Sequence, residues 1–249
     1  NTDIDAFCSS VNSGNLTTLQ NSWMTSFINW YALMPFQVGP LTLTDDNSAI
    51  LNYVDFYRNA SNATRTSNLN DINTGLSTLM SGGPITEASL SNSLAKNVGL
   101  LVLETSIFST ISGSEANVDI ITEFTGPSKK CDIIQALGYE LNERATYIQS
   151  QWKINYRDKG ISYLTLLTSN QLENYFISDD AQGDGIGTPA SETLIVALQE
   201  FLDFAGNADL LTTLNRYSSD FLWDALAASI ESIESILDQS ANTELTLYA

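Results

Sequence analysis

Residues 131–152, CDIIQALGYELNERATYIQSQW, decide the class of this fold. Cys131, Ile134, Leu137, Leu141, Ala145, Ile148 and Trp152 recur at steps of three and four. That is the period of one face of an α-helix, here sustained for about six turns. A half-buried strand would alternate at every second residue, and this stretch does not.

The same period extends outward in both directions. Towards the N-terminus, Leu16, Leu19, Trp23, Phe27 and Trp30 form a stripe that ends at MPFQVGP (34–40), whose prolines stop a helix. A second helix is expected over 47–58, behind the acidic start TDDN, and NASNATRTSN (59–68) reads as a polar loop. Leu69, Ile72, Leu76 and Leu79 form another stripe, closed by SGGP at 81–84. Residues 85–111, ITEASLSNSLAKNVGLLVLETSIFSTI, predict one long, nearly buried helix with Thr86 as its N-cap.

Downstream, 161–177 reads as a helix with strand-like character around ISYLTLL, and ASETLIVALQEFLDFAG (190–206) as a further helix. A shorter one covers 208–217. The last, from Ser219 or Asp220, carries Leu222, Leu226, Ile230, Ile233 and Leu237 on one face. Strand signals are few, and no alternating runs are joined by Asn-Gly turns. The expected architecture is all-α, a multi-helix bundle of about eight or nine helices with a single disulfide. It is read as one domain over residues 1–249, with a candidate sub-lobe boundary at Gly126-Pro127.

Composition narrows the function classes. Ten Lys and Arg stand against twenty-nine Asp and Glu, a net charge of −19 that reflects scarce bases rather than abundant acids. Few cations are available to replace phosphate counterions, so nucleic acid is not an expected partner. Anionic lipid surfaces are disfavoured for the same reason. No apolar run reaches the ~18 residues a membrane-spanning helix needs. The best candidate, VGLLVLETSIFSTI (98–111), is broken by Glu104 and several hydroxyls.

Other features fit a secreted glycoprotein. Cys8 and Cys131 are the two cysteines, and in an oxidising compartment they would pair. The chain-entropy model assigns such a long loop about 4.7 kcal/mol of stabilisation. Asn15, Asn59 and Asn62 each head an N-x-S/T sequon. The chain starts at Asn1 rather than Met, as removal of a leader, or trimming of any kind, leaves it. Charge is also unevenly placed. Six of the ten bases, Lys129, Lys130, Arg144, Lys153, Arg157 and Lys159, fall in one segment, whereas from Asp179 onward Arg216 alone faces thirteen acids. That asymmetry suits either pairing within the chain or a homo-oligomer joined basic patch to acidic patch.

Catalytic options are limited. The 249 residues contain no histidine, which removes the commonest general base and metal ligand, together with His-containing triads and His-built zinc sites. No GxSxG, GxxxxGK[ST] or HExxH motif occurs. A carboxylate-only hydrolase stays open, with no pair of acids singled out by spacing. Glu104, set inside LLVLETSIF, is the most unusual single acid and a candidate ligand anchor.

SDDAQGDGIGTPASETL (178–194) invites a metal reading. An EF-hand register from Asp180 fails at its twelfth position, where Ser191 stands instead of a bidentate acid. Asp179, Asp180 and Asp184 remain a weak calcium candidate; otherwise the loop reads as a glycine turn opening a helix, with Thr188 as N-cap and Pro189 at its first position. No other cofactor is expected. The aromatic stripe Trp23, Phe27 and Trp30 supplies either core or the wall of an apolar pocket. The leading expectation is a secreted, non-enzymatic helical protein that binds an apolar small molecule or lipid between its helices. A self-assembling extracellular protein is the alternative, and a carboxylate hydrolase the third reading.

Overall fold

The computed structural model describes residues 1–45, 48–56, 65–91, 93–126, 128–169, 190–206 and 220–242. Ten α-helices lie among them: α1 (Thr2–Ser9), α2 (Ser13–Leu33), α3 (Ile50–Asp55), α4 (Arg65–Ser81), α5 (Leu100–Phe108), α6 (Asn117–Thr125), α7 (Lys130–Lys153), α8 (Tyr163–Thr168), α9 (Ala190–Gly206) and α10 (Asp220–Asn242). Among the described residues the only strands are a two-residue antiparallel pair, Thr44–Asp45 against Ser48–Ala49. The fold is therefore an all-α helical bundle, and its single disulfide joins Cys8 to Cys131 with 5.6 Å between their Cα atoms.

The described chain divides into two compact units, one built from residues 1–26, 51–56, 65–91, 93–126 and 128–146, the other from 27–45, 48–50, 147–169, 190–206 and 220–242. Of the expected boundary at 126–127, Pro127 lies outside the described residues, as does the helix expected over 208–217.

In the first unit, α5 is buried along Leu100–Ile107, all round rather than on one stripe. Such a helix must satisfy its own polar side chains. Thr105, Ser106 and Ser109 do so by donating to the carbonyls of Leu101, Val102 and Thr105, at 2.8, 2.8 and 3.0 Å. The stripe on α7 is buried at Ile134 and Leu137, where Ile133, Ala136 and Glu140 are buried beside it. Farther along the same helix Ala145 is exposed. α1 anchors through Ile4 and Phe7, whose ring meets Phe124 of α6 edge-on at 4.9 Å.

The single long helix expected over 85–111 is not formed. Thr86 is an N-cap, with its N–H donating to Ser89 Oγ at 2.7 Å, but it caps only the 3₁₀ turn Glu87–Leu90. A second 3₁₀ turn, Ala95–Asn97, follows, and then Gly99 at φ +95°. A Cβ on Gly99 would lie 2.6 Å from the Val54 carbonyl oxygen and 2.9 Å from that of Tyr53. The backbone of α3 comes this close because glycine stands at 99, in a left-handed conformation that other residues avoid. The α-helix starts only after it.

The second unit is built on rings. Tyr163 receives Trp152 and Tyr156 edge-on at 5.0 and 4.8 Å. Phe27 and Tyr31, one turn apart on α2, lie 4.6 Å apart. α2 gives way to the 3₁₀ turn Met34–Phe36, and both α9 and α10 pack against that turn. Ser229 of α10 adds a buried hydrogen bond to the Tyr31 carbonyl at 2.6 Å.

Candidate functional site

The candidate residues separate by environment. Trp23 is buried against α5, with its indole N–H donating to the Leu100 carbonyl at 3.0 Å and its ring edge-on to Phe108 at 5.4 Å. Glu104, on the same helix, is 2 % exposed. The structure therefore brings Trp23 and Glu104 to one buried helix of the first unit. Phe27 and Trp30 belong to the second unit, and both are buried. Trp30 differs from Trp23 in one respect: its Nε1 is buried and makes no hydrogen bond. An unmet indole donor in an apolar setting costs about 1–3 kcal/mol, and a ligand carrying an acceptor would remove that cost.

The sequence reads α9 as a helix and gives α10 an apolar face that includes Ile230, and among the described residues the structure buries only part of each helix's apolar side chains. On α9, Ala197 and Phe201 are buried while Ile195 and Leu202, seven residues apart, stay exposed. On α10, Ala225 and Ser229 are buried, whereas Trp223 and Ile230, again seven apart, stay exposed. The apolar arc of each helix is thus wider than the face it buries, and Leu202 and Trp223 are 59 % and 61 % exposed. The unburied shoulder of α10 is bordered by the exposed acids Asp224, Glu231 and Glu234.

The bases expected to face an acidic layer have nearer partners. Lys129 Nζ donates to the carbonyls of Gly82 and Gly83, the latter at 2.9 Å. Lys130 is buried, paired with Glu123, bonded to the Ser109 carbonyl at 3.1 Å and set over the Phe124 ring at 4.7 Å. Desolvation by burial holds its pKa below the ordinary lysine value, with Glu123 opposing that shift. Arg144 Nε donates to Glu140 at 2.7 Å, and its guanidinium lies over Tyr53 at 4.3 Å.

Asn15 lies in the first turn of α2, where its amide donates to the Ser10 carbonyl at 2.8 Å. The sequons at Asn59 and Asn62 and the acids Asp179, Asp180 and Asp184 lie outside the described residues.

The family model for peptidase M75, imelysin, matches residues 1–245. The chain belongs to the imelysin family. No curated protein and no solved structure gives a significant match. Imelysin proteins are typically secreted or periplasmic and are iron-related, a setting compatible with a non-catalytic helical protein that carries a disulfide. Iron would need several oxygen, nitrogen or thiolate donors converging on one point. Among the described residues no group of three or more Cys, Asp or Glu does so, both cysteines are spent on their bond, and histidine is absent from the sequence. The described residues do not fit an iron site.

Proposed function

We propose that this imelysin-family chain is a secreted, non-catalytic helical protein that takes up an apolar small molecule or lipid between the helices of its second unit. The observation that carries the reading is the excess apolar arc on α9 and α10, where Ile195, Leu202, Trp223 and Ile230 remain exposed on helices that already pack against Met34–Phe36. Large apolar side chains left exposed on two helices that pack against one turn support an interaction site there. Trp30 adds a polar handle in the same unit, since its unmet N–H suits a carbonyl or ether oxygen on an otherwise apolar ligand.

The family takes its name from a peptidase. Without histidine this chain lacks the ligands and bases of the common zinc peptidase sites, which supports a binding role over hydrolysis. Assembly through the basic segment has less support, because Lys129, Lys130 and Arg144 are engaged locally.

The test is native mass spectrometry of the protein from its own source, together with a titration by lysophosphatidylcholine, chosen because a chain of charge −19 repels anionic lipids. The expected results are a lipid-mass adduct and a blue shift of indole emission that is lost in Trp223→Phe. Absence of both the adduct and the shift would overturn the reading.

A further inference from the structure

A separate feature lies in the first unit. The polar side of α4 forms the wall of a groove of about 530 Å³, lined by Asn70, Asn73, Thr74, Ser77, Thr78 and Ser81, with Ile111 as its apolar member. The six polar residues follow helical spacing, and none of them is charged. Uncharged helix faces recur in this chain, as on α2, and the α4 face is set apart by the groove it lines.

The hydroxyl protons of this wall point away from the groove. Thr74, Ser77 and Thr78 donate to the carbonyls of Asn70, Asn73 and Thr74 at 2.7, 2.7 and 2.8 Å, and Ser81 donates to that of Thr78 at 3.1 Å. With their protons committed to the helix, these oxygens offer only lone pairs outward. Asn73 Oδ1 is a further acceptor, buried and without a hydrogen bond. Apart from the amide N–H groups of Asn70 and Asn73, the wall therefore offers acceptors and wants donors.

Charge then selects among donor-bearing ligands. An anion finds no donor on these hydroxyls and only the amide N–H groups of Asn70 and Asn73. A cation meets the ammonium of Lys129, which already holds the carbonyls of Gly82 and Gly83 directly after Ser81. A neutral molecule with several hydroxyl groups meets neither objection, and Ile111 offers an apolar contact for its C–H face. We propose that this groove binds a neutral polyhydroxylated ligand, of the sugar class, through donation from the ligand to the α4 oxygens. The site is independent of the apolar one in the second unit.

The full chain, labelled for amide NMR, is titrated in parallel with maltose, spermidine and glucuronate as neutral, cationic and anionic probes. Maltose is expected to shift the amides of residues 70–81 and to bind more tightly than the other two. In S77A/T78V, which removes two exposed acceptors, maltose affinity is expected to fall about fivefold with the thermal midpoint unchanged. Asn73→Leu gives a second variant with the same expected direction. The proposal is overturned if maltose leaves those amides unmoved, if S77A/T78V binds maltose as the wild type does, or if spermidine binds more tightly than maltose.

Discussion

The two units of this imelysin solve the problem of a modest core differently. In the first, α1 is tied to α7 by the Cys8–Cys131 bond, Lys130 is paired with Glu123, and Arg144 is paired with Glu140 over a tyrosine ring. Among its described residues three large apolar side chains stay exposed, Phe56, Leu94 and Val118. The second unit has no disulfide, and among its described residues nine large apolar side chains stay exposed, from Leu33 to Ile230. Surface left apolar where nothing structural requires it is surface open to a partner or ligand. The first unit is fastened by specific bonds, and the second leaves more apolar surface exposed.

If fastening is what distinguishes the first unit, removing its covalent tie should have the largest effect. A C8A/C131A variant frees a loop with a sequence separation of 123, for which the chain-entropy model gives about 4.7 kcal/mol. Urea unfolding should show a loss of that order. A loss under about 1 kcal/mol would mean that the helix contacts alone hold α1, on the scale of a single hydrogen bond.

Lys130→Met comes next. It leaves half-buried Glu123 with the Ile111 N–H alone and takes the buried ammonium from the Ser109 carbonyl, at a cost of about 3 kcal/mol. The pH dependence has a definite sign. Burial lowers the folded-state pKa of Lys130 below its value of 10.5, so the unfolded chain binds more protons than the folded one between the two. The Lys130 contribution therefore grows more favourable as pH rises through the folded pKa towards 10.5. The stability gap between wild type and Lys130→Met should widen in that alkaline window. A gap that narrows there would show that Glu123, and not desolvation, governs the lysine.

Much of this architecture was legible from spacing, and the failures have physical causes. The stripes of α2, α4, α7, α9 and α10 are long enough for a period of three and four to stand out. α1 and α6 escaped, because each is short and rests on two buried anchors, Ile4 with Phe7 and Ile120 with Phe124. Two anchors do not define a period. The break before α5 turns on Gly99, whose role depends on the Tyr53 and Val54 carbonyls some 45 residues earlier in sequence, and no local pattern reports that approach. Glu104 was visible as an acid in an apolar run, but its burial had to come from packing around the whole of α5. Periodicity also says which residues are apolar and not how much of an apolar arc is covered. That is why Ile230 reads as part of an apolar face and is surface.

The two tryptophans of α2 bring the same contrast to single atoms. Trp23 donates to Leu100 in the first unit, while Trp30 has no acceptor in the second. Substitution by Phe removes similar volume at each position, but at Trp23 it also strands a buried carbonyl. Trp23→Phe should therefore cost about 1–2 kcal/mol more than Trp30→Phe in paired denaturation curves. Equal costs would remove the argument that Trp30 is held for a ligand.

The smallest stability effect belongs to the exposed apolar surface of α10. Trp223→Ser with Ile230→Ser alters two exposed positions on the shoulder of α10, away from buried Ala225 and Ser229. Exposed substitutions of this kind move stability by about 0.5 kcal/mol or less. Burying a lipid chain against the same two side chains, however, is worth about 25 cal/mol per Å² of apolar surface covered, so lysophosphatidylcholine binding should fall at least about tenfold. The pair of readouts is what matters. Intact stability with lost binding identifies the shoulder as a site, whereas a large drop in the thermal midpoint would mean that Trp223 and Ile230 are structural after all, and that the second unit is fastened by its apolar surface much as the first is by its disulfide.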